Sequence, residues 1–153
     1  MKLAEALAER KALKNKMEEL KKRIYQNSKV QEGDAPLESP VELLEALRQE
    51  TAKFEALIIR INQTNNATKL DEGMTLMEAI VKKDMLHYLQ MIYMNLADKA
   101  TPTHERFSAR EIKFVPTIDV GDIRMQADEI AKQYRLLDMR IQEMNWQTEL
   151  LRK

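Results

Sequence analysis

Chemistry in this chain would have to come from few residues. Asp84-Met85-Leu86-His87 is an acid-x-x-His pair of the kind that two helices of a dimetal bundle each supply. A second such pair is needed, and the only other histidine, His104, falls in a predicted loop, so dimetal chemistry is not expected. Cysteine is absent, which removes thiolate catalysis, disulfides and Cys-based metal sites. No phosphate-cradling glycine motif and no nucleophile–histidine–acid set is present. The remaining candidates are arginine, amide and carboxylate side chains that the predicted architecture brings to one end.

That architecture comes from a repeat. Arg60-Ile61-Asn62-Gln63-Thr64-Asn65-Asn66-Ala67-Thr68-Lys69-Leu70 and Arg140-Ile141-Gln142-Glu143-Met144-Asn145-Trp146-Gln147-Thr148-Glu149-Leu150 share R-I-x-x-x-N-x-x-T-x-L, eighty residues apart. Leu3-Ala4-Glu5-Ala6-Leu7 is echoed by Leu76-Met77-Glu78-Ala79-Ile80 at an offset of 73. Two helical hairpins related by duplication, pseudo-repeats 1–70 and 74–151, therefore form one all-α domain over 1–153, an antiparallel four-helix bundle. In such hairpins Glu5, Arg10, Arg60, Asn62 and Asn65 of the first half share an end with Glu78, Lys83, Arg140, Gln142 and Asn145 of the second. The expectation is a polar layer with arginine–carboxylate pairing. It serves either to fix helix register or as an anion or metabolite site built from Glu5, Arg60, Asn65, Glu78, Arg140 and Asn145, with Trp146 as a wall.

The elements that position these residues are legible. The first helix should span about Leu3 to Asn27, its lysines interleaved with glutamates on a solvated face. Ser39-Pro40-Val41-Glu42 predicts the start of the second helix, with Ser39 as N-cap and Pro40 at the first position. It should fray near Asn65-Asn66 and stop at Asp71-Glu72-Gly73. Thr75 to Glu78 forms a capping box for the third, in which 15 of the 22 residues from Leu76 to Ala97 are hydrophobic. A monomer has no place to bury so many, and a homo-oligomer interface through 76–97 is expected. The fourth helix should begin near Asp119 and carry an apolar seam from Val120 through Ile141 to Thr148 and Leu151. Between them Glu111-Ile112-Lys113-Phe114-Val115 alternates like a strand, and a short β pairing with 29–31 is expected.

Composition bounds the rest. Lys plus Arg and Asp plus Glu number 25 each, so no net field draws the chain to nucleic acid or an anionic membrane. The longest apolar run, Met85 to Ala97, is too short to span a bilayer, and Met1 leads directly into a charged amphipathic helix. A soluble cytoplasmic protein without cofactor or metal is expected.

The N-terminal Lys2-Leu3-Ala4-Glu5-Ala6-Leu7, the segment Arg60 to Asn65, Glu111-Ile112-Lys113, Asp119-Val120 and the segment Arg140 to Trp146 together resemble a septicolysin-like family of small bacterial helical proteins. The resemblance covers nearly the whole length. It implies a helical fold and, by the family's name, a cytolysin, and it carries no catalytic residues. The residues themselves point to a non-enzymatic, oligomeric interaction or scaffold protein, with ligand binding by the polar layer as the alternative.

Overall fold

The computed structural model describes residues 1–102 and 112–152. Four helices account for most of them: α1 (Leu3–Gln26), α2 (Pro40–Ala67), α3 (Leu76–Ala100) and α4 (Val120–Gln147), with a two-stranded sheet of β1 (Lys69–Asp71) and β2 (Met74–Thr75). The chain is all-α. Its residues form two compact units, Met1–Lys69 with Gln142–Lys153, and Leu70–Ile141. α4 begins in the second unit and ends in the first.

In the first unit α1 and α2 pack as a hairpin. The Ser39 side chain accepts from the Glu42 N–H at 3.4 Å, and Pro40 occupies the first turn, where a missing N–H costs nothing. Asn27 ends α1 by bonding back to the Arg23 carbonyl, and its side-chain oxygen accepts from the Glu38 N–H at 3.1 Å. Arg23 clamps Glu38 with both Nε and a terminal nitrogen, so the connection is stitched at its two ends. Leu20, Ile24 and Leu43 are buried together with Ala46 and Leu47 against them. One turn further along, buried Glu50 accepts from Lys16 at 3.1 Å and Lys53 at 3.3 Å, a charge-paired layer that the sequence did not announce.

The first unit also contains the tail of α4. After Gln147 the chain leaves the helix, and Glu149 pairs with Lys2 in an antiparallel bridge. The Leu3 N–H donates to the Thr148 carbonyl at 2.8 Å, and the Leu150 N–H to the Met1 carbonyl at 2.9 Å. The helical seam expected to reach Thr148 and Leu151 therefore stops short, because this backbone satisfies its donors and acceptors across a bridge instead.

In the second unit α3 and α4 run antiparallel. Lys83 pairs with Asp138, His87 stacks on Tyr134 and Arg124 pairs with Asp98. The residue numbers in each pair sum to 221 or 222, as they must when one helix ascends while the other descends. Thr75 caps α3, accepting from the Glu78 N–H at 3.1 Å. Asp119 does the same for α4 through the Asp122 N–H at 3.1 Å. Buried side chains of this unit include Leu76, Ala79, Ala97, Ala127, Leu137 and Ile141.

The expected β pairing needs correction. Residues 29–31 and 112–115 carry no strand, and Glu111 lies outside the described residues. Ile112, Phe114 and Val115 are exposed, so their alternation has no second layer to bury against. The sheet forms instead at Lys69–Thr75, where Asp71 accepts from the Gly73 N–H at 3.0 Å and tightens the turn between β1 and β2. Within the chain α3 is little buried: among its residues only Leu76, Ala79 and Ala97 are fully covered.

Candidate functional site

Both arginines of the repeat are anchored inside their own unit. Arg60 Nε donates to the Leu151 carbonyl at 3.0 Å. Beside it Thr64 Oγ1, itself buried, accepts from the Leu151 N–H at 2.9 Å and donates to the Arg60 carbonyl. Arg140 donates to Asp71 Oδ2 at 2.8 Å in the second unit. Asp71 lies four residues past the end of α2, and Leu151 four past the end of α4. Each arginine of the repeat thus holds the tail that follows the helix of the other copy. Likewise the Lys2–Glu149 bridge in one unit and the β1–β2 pairing in the other join the segment after one helix to the segment before another.

The rest of the proposed layer is distributed. Glu5 is exposed and accepts from the Lys2 N–H at 2.6 Å, while Glu78 is exposed at the cap of α3. Arg10 and Asn62 are exposed and Asn65 is half-buried, all in the first unit. Trp146 is 64% exposed, so it neither walls a pocket nor caps a core. Asn145 is the exception. It is 4% exposed, and its Oδ1 has no hydrogen-bond partner among the described residues. Lys83 serves the Asp138 pair, and Gln142 is exposed.

Electrostatics follow these anchors. The Arg140 guanidinium, with help from the Gly73 N–H, holds the Asp71 carboxyl below its ordinary range. Lys2 does so for Glu149, Arg23 for Glu38 and Lys16 for Glu50. Every one of these shifts stabilises an ion pair; none prepares a proton donor. No cluster of metal-ligating side chains occurs among the described residues, and Asp84 and His87 stand exposed on α3. An open depression of about 470 Å³ on α3 is lined by Lys83, Asp84, Met85, His87, Tyr88, Met91 and Tyr134.

A longer apolar feature overlaps it, sharing Met85 and Tyr88. Met77, Val81, Met85, Tyr88, Ile92 and Leu96 are 42–62% exposed. At 100° per residue these six fall on one side of α3, about 150° round the helix from Lys83 and His87, which face α4. Leu89, also exposed, widens the stripe. It runs most of the length of the helix, with polar Glu78 near its start and Lys99 near its end. Sequence reasoning found the excess of apolar residues here but not their arrangement, since the side facing α4 is fixed only by the pairs with Asp138 and Tyr134. Among the described residues no helix is long and apolar enough to cross a membrane.

No curated protein matches the chain. A solved crystal structure, that of a functionally unknown conserved protein from Corynebacterium diphtheriae, is similar, with 46% sequence identity, a TM-score of 0.92 and 99% of each chain covered. The model of a family of unknown function, DUF6847, matches residues 3–150, and the chain belongs to that family.

Proposed function

We propose that this protein is a non-enzymatic interaction module that associates with a second copy of itself through the outer face of α3. The observation that carries the reading is the exposed apolar stripe from Met77 to Leu96. Soluble monomers seldom leave a contiguous apolar patch of more than a few hundred Å² uncovered, and larger ones mark interaction sites. Seven half-exposed side chains, at roughly 50 Å² each, present on the order of 350 Å² of apolar surface per copy before flanking polar atoms are added. That is about 700 Å² for a pair of copies, the apolar centre of an interface whose polar rim supplies the rest of the roughly 1,000 Å² that a specific dimer buries. An apolar stripe that runs most of the length of a helix suits another helix better than a small molecule, which needs a site that encloses it.

The polar groups that sequence reasoning gathered into a ligand site are, in this reading, structural: Arg60 and Arg140 fasten chain segments to helix ends. Light scattering at micromolar concentration tests the proposal. A mass twice the 17.9 kDa of the chain is expected, and a clean monomer up to high concentration would refute it.

A further inference from the structure

Resting on that reading, we infer that the two copies pair through α3 antiparallel about a twofold axis at Tyr88–Leu89, so that Val81 of each meets Leu96 of the other. The stripe positions 77, 81, 85, 88, 92 and 96 advance by 4, 4, 3, 4 and 4, so that Met77 to Tyr88, Val81 to Ile92 and Met85 to Leu96 are all steps of eleven. Eleven residues in three turns is about 3.67 per turn, close to the 3.6 of a straight helix, so the stripe barely drifts and two such helices touch along their whole length.

The spacing is also self-complementary when the second copy is reversed. Setting i + j = 177 faces Val81 with Leu96, Met85 with Ile92 and Tyr88 with Leu89, with no stripe position from Val81 to Leu96 set against a charge. The same sum brings Glu78 of one copy to Lys99 of the other at both ends of the seam. A parallel arrangement would set Glu78 against Glu78 and Lys99 against Lys99, and would align the two helix dipoles head to head. Charge complementarity thus selects the antiparallel dimer, an isologous interface in which the same patch serves both subunits and the assembly closes at two. A partner of different sequence would have no reason to match this register.

The chain has no cysteine, so introduced thiols report without background. Val81→Cys and Leu96→Cys are made as separate full-length chains, their solution masses are measured, and they are oxidised alone and as an equimolar mixture. The mixture should give at least roughly tenfold more covalent dimer than either variant alone, because disulfides form only between Cβ atoms a few Å apart. A non-covalent dimer in which Val81→Cys crosslinks with itself as readily as with Leu96→Cys would overturn the antiparallel register and leave self-association standing. So would a dimer in which no combination crosslinks. A monomeric wild-type chain would overturn both. As an independent check, Lys99→Glu should weaken the dimer about two- to fivefold, as expected for a rim ion pair. Combining it with Glu78→Lys should restore the affinity, and failure to restore it in a folded protein would count against the register.

Discussion

Replacing Met85 and Ile92 together by glutamate should abolish self-association while leaving the fold intact. Both side chains sit on the outer face of α3, 53% and 44% exposed, so neither contributes much to burial within the chain. Glutamate is as good a helix former as methionine and better than isoleucine, and exposed substitutions of this kind change stability by no more than about 0.5 kcal/mol. Association is another matter. Burying a whole side chain of this class is worth about 1.5–3 kcal/mol, so covering its exposed half gains roughly 1 kcal/mol. A symmetric dimer loses four such halves, about 4 kcal/mol, which is close to a thousandfold in Kd before the cost of desolvating four carboxylates is added. Sedimentation velocity over a concentration series reads the dimer, and thermal unfolding followed by circular dichroism at low concentration reads the fold. A variant that still dimerises with native affinity would refute the assignment of the interface to this face. A variant that unfolds would show that these side chains are covered within the chain, contrary to their exposure.

Other substitutions test the anchors. Thr64→Val removes the oxygen that accepts from the Leu151 N–H while keeping the volume. The orphaned donor should cost about 1–3 kcal/mol, a fall in Tm of several degrees, and a Tm equal to that of wild type would show that the tail is not held there. Asn145→Leu should be neutral or stabilising, because the buried Oδ1 it removes has no partner among the described residues; a loss beyond about 3 kcal/mol in a denaturant titration would mean that the amide satisfies something essential. Stability should also fall on the acid side. Glu38, Glu50, Asp71 and Glu149 have carboxyls lowered by their cationic partners. Their contribution is present above the unfolded-state value and lost as pH falls through the lower folded value, so the Tm should decline through and below the ordinary carboxylate range, from about pH 5 downward. An unchanged Tm down to the bottom of that range would mean that these pairs are not kept in solution.

The starts of α2 and α3 were legible because their signals are local. Ser39 with Pro40, and Thr75 with Glu78, satisfy orphan backbone groups within one turn, so the residues that do the capping are adjacent in sequence. α2 and α4 keep the eighty-residue offset of the repeat: both are 28 residues long, and their ends are eighty apart. The strand expected at 111–115 failed for the opposite reason. Alternation identifies a strand only where a second layer buries one face, and the exposed Ile112, Phe114 and Val115 have none.

What the sequence determined by itself was composition, periodicity and caps: an all-α chain, no thiol chemistry, and a third helix with more apolar surface than one hairpin can cover. What only the tertiary structure decided was the partner of each polar group and the direction of each face. Arg60 meets a backbone carbonyl 91 residues away and Arg140 a carboxylate 69 residues away, and no local rule encodes such distances. The pairs of Lys83 with Asp138 and His87 with Tyr134 orient α3, and that orientation turns the stripe from Met77 to Leu96 outward. Hydrophobicity is a property of a residue, whereas exposure is a property of its neighbours, so the excess counted in the sequence acquires a face only when the packing shows which side of α3 the described residues leave uncovered.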